Sequence, residues 1–371
     1  MKRLAFMLLL LPALASAADM AGSFSVVARD PYTAEWGVAC MSHAPACGSS
    51  VPWVQAGIGA IAAQGETNGS WGPIGLQFMR DGMLPTAIAD TLMKMDPGMQ
   101  RRQVALLDRK GWPGGYSGND LVNWSGGILD SNLAVQGNTM SDNKSLQAIY
   151  DSLKLMDPDA PLADRMLNGL TYANSLKADW RGVRSAALLI GRVNPKRPED
   201  SSRYIYLRVD DDPDPLGKLW ALYRAYRASH MVGVQLDYAE WYRGAKAAPR
   251  ASRDSSRAVA DVKAALEDPT LTASALNAMA WALAQRGAML DQAWIAIEKA
   301  RKLEPKSTEL LDTAAEVRSR QGRAADAVAL IEQASKAVPT DEYLAARVKE
   351  IRSRVPGNYE GPGSIKQKYY R

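Results

Sequence analysis

The sequence predicts an α+β domain of antiparallel sheets covered by helices, followed by an all-α array of helical repeats. Two observations carry this reading. Over residues 19–215, hairpin-forming strands come first, then a block of helices, then strands again, without regular βαβ alternation. Beyond Pro215 alanine and leucine dominate, strand patterns stop, and a motif recurs at a fixed spacing.

In chain order, residues 23–29 (SFSVVAR) and 36–42 (WGVACMS) are rich in β-branched and small apolar side chains. Asp30-Pro31-Tyr32-Thr33 between them has turn composition, so the two runs form a β-hairpin. Residues 57–64 (GIGAIAAQ) make a third strand, followed by a polar, glycine-bearing loop over 65–72. Leu76, Met79, Met83, Ile88, Leu92 and Met95 recur at helical spacing and are interrupted at Pro85, which predicts two helices in succession. Residues 103–108 and 133–136 return to strand, whereas 111–127, punctuated by glycine and tryptophan, predict no element. Helices over 145–156 and 162–173 and strands over 185–193 and 204–209 complete the domain.

In the second half, Ile297, Glu298, Ala300, Lys302 and Pro305 recur 34 residues on as Ile331, Glu332, Ala334, Lys336 and Pro339. That is the tetratricopeptide period. Gly287 and Gly322 mark the turns within each helix pair, and Pro305 and Pro339 close the second helices. The plan is then connecting and capping helices over 216–266, repeats over 267–355, and an aperiodic tail over 356–371 that is expected to be disordered. Arrays of this kind offer a concave face to a peptide or a partner protein. The aromatic residues Trp220, Tyr223, Tyr226, Tyr238, Trp241 and Tyr242 ahead of the repeats are read chiefly as packing.

A chain of 371 residues with 47% hydrophobic and 23% charged content is ordinary globular protein of two or three domains. The net charge of +5 is not gathered on any helix face in the first 200 residues, which argues against nucleic acid as a partner. Lys2 and Arg3, an apolar run over 4–14 and the small residues of 15–18 read as a secretory signal, too short to span a bilayer. No later segment holds eighteen consecutive apolar residues, so no membrane span is expected and the destination is periplasmic or secreted. Cys40 and Cys47 are the only cysteines; in an oxidising compartment they are disulfide candidates, with buried thiols as the alternative. His43 between them leaves too few ligands for closed zinc coordination.

Most catalytic signatures are missing: there is no phosphate loop, dinucleotide fingerprint or HExxH, and the histidines are His43 and His230 alone. No metal or cofactor is expected. What stands out is Ser23, heading the first strand directly after Gly22. A free N-terminus there would place a nucleophilic hydroxyl and a base in one residue, because an α-amine titrates near ~8. Polar residues cluster at other strand ends: Gln64, Thr67 and Asn68; Arg102 and Gln103; Gln136 and Asn138. Such amides hold an oxyanion or a substrate carbonyl without charge, or else cap loops. Asp210 and Asp211, with Asp212 and Asp214, follow the last strand, where clustered carboxylates either offer oxygen ligands to calcium or magnesium or, as the reading preferred here, cap turns before the helix at Pro215.

The segments SFSVVARDP, WGVA, VPWVQAGIGAIAAQ with Thr67-Asn68, WGPIGL, RQVALLD, VQGN, RGVRSAALL and LRVDDDPDP, in order over residues 22–216, together resemble the uncharacterised DUF1028 family. The resemblance implies the N-terminal-nucleophile hydrolase-like superfamily, a four-layer αββα sandwich and hydrolysis of an amide bond. Ser23 falls at the family's initial threonine or serine, and a Gly-Ser bond is one that autoproteolytic members of the superfamily cut. No lysine lies between Lys2 and Lys94, and Arg184 stands where relatives usually have glutamine. Two functions follow as expectations. One is an exported amide hydrolase acting on a small amide, a peptide or a cell-wall-derived fragment, with Ser23 as nucleophile and a repeat domain for docking. The other is a catalytically silent ligand-binding domain joined to a protein-interaction module. A homo-oligomer is left open.

Overall fold

The computed structural model describes residues 23–194 and 198–354; the expected signal segment, Gly22 and the aperiodic tail lie outside them. The chain forms two compact units that divide between Leu219 and Trp220.

The first unit contains β1 (Ser23–Asp30), β2 (Glu35–Ser42), β3 (Pro52–Gln55), β4 (Gly59–Gly65), α1 (Trp71–Arg80), α2 (Pro85–Met95), β5 (Arg102–Asp108) and β6 (Pro113–Ser117). It continues with β7 (Trp124–Asp130), β8 (Leu133–Met140), α3 (Asn143–Leu155), α4 (Leu162–Ser175), β9 (Ser185–Arg192) and β10 (Ile205–Val209). One sheet has six strands in the order β10-β9-β2-β1-β8-β7, the other four in the order β3-β4-β5-β6. All the pairings are antiparallel. The expected first hairpin is present, its turn held by Asp30 Oδ1, which accepts from the Tyr32 and Thr33 amides at 2.8 and 3.1 Å.

Alternation along each strand decides what the sheets bury. Val27, Val38, Ala134 and Leu189 of the larger sheet share one buried cluster with Val54, Ala60, Ala62, Ala105 and Leu107 of the smaller. The opposite face of the smaller sheet, through Ile61, Val104 and Leu106, packs against Leu76, Ile88 and Leu92 of α1 and α2. On the larger sheet α3 contacts β7 and β8, and α4 contacts β1, β2 and β9. Glycine sets the helix-to-sheet distance on both sides. A Cβ on Gly37 would stand 2.6 Å from Met166 Sδ of α4, and one on Gly75 of α1 would stand 2.6 Å from Ile61 Cδ1.

Three strands escape the sequence reading. β3 is four residues long, and β6 (PGGYS) and β7 (WSGGILD) are rich in glycine, which carries little strand preference of its own. They exist because β4, β5 and β8 offer them a ladder. β8 also runs past Gln136 to Met140. Cys40 and Cys47, read as disulfide candidates, are free and buried, with their sulfurs 3.5 Å apart. The hydrogen bond from Cys40 to Cys47, together with burial, pushes the Cys40 thiol well above its ordinary range.

Helix α5 (Pro215–Tyr226) runs across the division, and in the second unit a π turn over Arg227–Met231 leads from it, among the described residues, into α6 (Val232–Gly244), α7 (Ala248–Glu267), α8 (Ala273–Arg286), α9 (Leu290–Leu303), α10 (Thr308–Arg320), α11 (Ala324–Ala337) and α12 (Glu342–Ser353). Thr272, Ser307 and Asp341 each cap the next helix by accepting from the amides of Ala275, Leu310 and Leu344. The core is largely alanine, including Ala280, Ala284, Ala293, Ala296 and Ala314, and such small side chains let helices approach closely. Tyr223, Tyr238 and Tyr242 of the aromatic group are buried.

One buried ion cluster ties α10 to α12. Arg347 donates to Asp312 at 2.8 Å, to Glu316 at 2.9 Å and to Glu350 at 2.6 Å, and Arg354 also reaches Glu316 at 2.6 Å. Burial by itself would raise the Glu316 carboxyl, but Arg347 and Arg354 outweigh it and hold the group at about 2. Because that value lies below the ordinary one of 4.5, the stability Glu316 contributes is full above the ordinary range and is lost as the pH falls to about 2. Arg347→Met takes a charged partner from two buried carboxylates, leaving Asp312 with Tyr343 and Glu316 with Arg354 and Arg320, and is expected to cost about 3 kcal/mol in chemical denaturation of the full chain. Its helical signal is also expected to collapse at a higher pH than the parent's on acid titration. An unchanged acid limb would show that the cluster does not hold α12.

Candidate active site

β1 lies inside the larger sheet between β2 and β8. Ser23, Ser25 and Val27 share its face toward the smaller sheet, and Phe24, Val26 and Ala28 point the other way. Register places Ser42 and Asn138 on either side of Ser23, and Ser185 on the far side of Ser42. In the smaller sheet Gln64 pairs with Gln103, and Gln103 with Ser117. Each inward face therefore ends in a polar rung where its middle is apolar.

The two rungs meet. Gln64 Nε2 donates to the Ser23 carbonyl at 3.3 Å, Asn138 Nδ2 to Gln103 Oε1 at 3.0 Å, and Gln103 Nε2 to the Gly137 carbonyl at 3.0 Å. Gln103 also accepts from Gln64 Nε2 at 2.6 Å and donates to Ser117 Oγ at 2.8 Å and the Gly126 carbonyl at 3.2 Å. One step further in, Gln136 Nε2 bridges Ser25 Oγ at 3.1 Å and the Ala62 carbonyl at 2.9 Å. At the centre, the Ser23 main-chain nitrogen donates to Asn138 Oδ1 at 3.2 Å and the Ser23 hydroxyl to Ser42 Oγ at 3.1 Å. Ser23 is 6% exposed and Gln64, Gln103, Gln136 and Asn138 no more than 2%. The side chains joined by these bonds are all uncharged. Gln64 Oε1 is buried without a hydrogen-bond partner.

The backbone is distorted at this point. β7 and β8 pair as Trp124 with Met140 and Gly126 with Gly137, so β8 carries one residue more than its partner between the two pairs. Thr139 takes up the bulge at φ 56, a left-handed conformation that is strained for a β-branched residue. It sits next to Asn138, the residue that holds the Ser23 nitrogen.

Of the residues the sequence singled out, the structure gathers Gln64, Gln103, Gln136 and Asn138 around Ser23. Asn68 and Arg102 belong to a neighbouring cluster instead. Asn68 Nδ2 at 2.7 Å, the Gly98 amide at 2.8 Å and Arg102 Nε at 3.1 Å converge on the carboxylate of Asp96. Burial pushes the Asp96 carboxyl up, but these hydrogen bonds and the Arg102 charge prevail and hold it below the usual value. Thr67 Oγ1 lies 3.5 Å from the Gly65 carbonyl. Asp211 pairs with Arg184 at 2.6 Å and Asp210 with Arg208 at 3.0 Å, on side chains half exposed to solvent. Asp212 and Asp214 accept the amides of Asp214 and Gly217, which is turn capping. The Arg184 amide donates to the Ser42 carbonyl at 2.8 Å, so this acidic segment supports the strand end beside Ser23 without entering the network. His43 Nδ1 lies 3.1 Å from the Gly182 carbonyl. Ser25, Ser42, Ser117 and the bulge at Thr139 were missed, although the spacing of two in Ser23/Ser25, Cys40/Ser42 and Gln136/Asn138 carries the signal.

A family model described as a family of unknown function, DUF1028, matches residues 23–219. The chain belongs to the DUF1028 family. No curated protein matches it. Among solved structures, the crystal structure of a DUF1028 protein from Silicibacter pomeroyi is similar, with 27% identity, a TM-score of 0.50, and coverage of 60% of this chain and 94% of that one. The DUF1028 region thus contains every residue of the Ser23 network.

Within the DUF1028 region the network rests on Gln103. Gln103→Leu leaves the Asn138 amide unpaired and frees Gln64, Ser117 and two carbonyls, and is expected to destabilise the protein by about 3 kcal/mol or more. Gln103→Glu keeps the shape but turns an oxygen toward the Gly126 and Gly137 carbonyls, and is expected to be no better tolerated. Denaturation midpoints of both variants check this, and a neutral Gln103→Glu would remove Gln103 from the centre of the network.

Proposed function

We propose that the first unit is an exported amide hydrolase of the N-terminal-nucleophile type, built as a four-layer αββα sandwich, with Ser23 as nucleophile and its own α-amine as base. The observation that carries this is the position of Ser23. It heads an interior strand of the larger sheet on the face toward the smaller one, its nitrogen 3.2 Å from a buried amide oxygen and its hydroxyl in a hydrogen bond to Ser42. In this reading, cleavage of the Gly22–Ser23 bond frees the amine. The amine takes the hydroxyl proton as Oγ attacks the substrate carbonyl carbon. The amide C–N bond then breaks, with the proton passing to the leaving nitrogen, and water releases the acid from the acyl-serine. The amide hydrogens of Asn138 and Gln64 are engaged by Gln103 and the Ser23 carbonyl, which gives both residues a positioning role. The uncharged lining supports a neutral acyl group, as in a small amide, a peptide or a cell-wall-derived fragment.

For the second unit we propose a tetratricopeptide-like array that docks a partner or a substrate. What supports this is the recurrence of N-caps at Thr272, Ser307 and Asp341 and the start of α9 and α11 at 290 and 324, close to the period of the sequence motif. A second reading of the first unit, a catalytically silent ligand-binding domain, draws on Gln103, whose donors and acceptor are saturated by the fold.

The intact mass of the protein expressed with its own leader separates the two. A mature chain beginning at Ser23 supports the hydrolase, and one beginning at Ala18 or Asp19 sinks the Ser23 mechanism. With Ser23 exposed, a β-lactone probe is expected to label the parent and not Ser23→Ala. Labelling that survives the substitution would assign the nucleophile elsewhere.

A further inference from the structure

In the second unit an open cleft of about 880 Å³ lies between the start of α9 and the end of α10, bounded by the turns that precede α9 and α11. It therefore opens on an edge of the helical array, where helix pairs reverse. Its two walls differ. The α9 wall is apolar, with Leu290, Trp294 and Ile295, and Ile295 is 48% exposed. The wall from α10 and the turn after it is basic, with Arg318, Arg320 and Arg323.

These positive charges are thinly matched. Arg318 sits over the Trp294 ring, 3.3 Å from its centroid, and its Nη1 donates to Gln321 Oε1 at 2.8 Å. The carboxylate that Arg318 and Arg323 share is Asp326, whose Oδ2 stands 4.0 Å from each, beyond hydrogen-bond reach. Arg320 donates to Glu316 at 2.9 Å, but that carboxylate also serves Arg347 and Arg354. Asp291, the acidic residue of the lining, is taken up by Gln321 Nε2 at 3.0 Å. Among the described residues, Arg318 Nη2 and the side-chain donors of Arg323 make no hydrogen bond. Burial, and then the like charge of Arg323, lower the Arg318 pKa against the pull of Asp326 and Glu298. Guanidiniums crowded in this way favour a ligand that brings carboxylates of its own, because a charge-assisted hydrogen bond is the strong kind. An extended peptide alternates its side chains between two sides, so one of alternating acidic and apolar residues matches a cleft with one basic and one apolar wall.

We infer that this cleft docks an extended acidic peptide of a partner protein, its carboxylates on Arg318, Arg320 and Arg323 and its alternate apolar side chains on Leu290 and Ile295. The inference rests on the docking role proposed for the second unit and names the chemistry of the partner. The probe is a fluorescein-labelled hexapeptide, DLELDL, titrated with the full-length protein and followed by fluorescence anisotropy. Its amide isostere NLQLNL and a short thymidine oligonucleotide are the controls. Saturable binding of the acidic peptide is expected, at least about tenfold tighter than either control, the difference that goes with one charge-assisted hydrogen bond. Arg323→Glu is expected to weaken it by about tenfold at an unchanged melting temperature, since an exposed side chain loses an ion pair and gains a repulsion. Ile295→Glu, also at an exposed position, puts a like charge on the apolar wall and is expected to weaken it by about tenfold or more. If Arg323→Glu does not fold, Ile295→Glu decides the matter. Full binding by either folded variant, or oligonucleotide binding as tight as that of the peptide, would overturn the inference. Equal binding of the isostere would overturn it too while leaving the docking role in place, whereas binding of neither peptide would also remove this cleft from that role.

Discussion

The first unit depends on one constraint: the two sheets must close on each other at an end where both present amides. Small apolar residues fill the middle of the interface, and there burial by itself supplies the attraction. At the Ser23 end it cannot, since a buried amide without partners costs more than its packing returns. Gln103 resolves this by accepting from one amide of each sheet and donating across to main-chain carbonyls of β7 and β8. A network satisfied in this way specifies one register, because a slip of one residue on any strand would turn its polar group to the other face.

That register also explains why β1 has two different ends. Its inward residues run from Ser23 through Ser25 to Val27, from the amide network into the apolar core. Its outward residues run from Phe24 through Val26 and Ala28 to Asp30, where an ion pair with Arg165 of α4 takes over from apolar packing. The bulge at Thr139 belongs to the first end. An extra residue in β8 re-aims Asn138, and the strain of a left-handed threonine is sustained by the ladder on either side.

Much of this architecture was legible in the sequence. Runs of β-branched and small apolar residues located seven of the ten strands among the described residues, and helical spacing with Pro85 at a first turn separated α1 from α2. Gln64, Gln103, Gln136 and Asn138 could be named because amides are unusual beside apolar strand runs. What a single strand does not disclose is its neighbour. Ser42 and Ser117 gain meaning only from the register that sets them opposite Ser23 and Gln103. Asn68 and Arg102 misled for the same reason: each is one residue or one loop away from the network in sequence, yet both turn to Asp96. Glycine-rich β6 and β7 show the converse, strands made by their partners and not by their own side chains.

The hydrogen bond from the Ser23 nitrogen to Asn138 bears on the chemistry in a further way. An amide N–H and a free amine can both make it, so the contact itself holds the strand end whether or not the chain begins at Ser23. The difference lies in charge. A main-chain amide is no base, whereas an amine at this position would stand among uncharged side chains that offer an ammonium no counterion. Burial of that kind disfavours the protonated form and so favours the free base that a serine nucleophile needs near neutral pH. The lack of a lysine or histidine in the network therefore does not count against nucleophilic chemistry of this type. It is the environment in which the residue's own amine could serve.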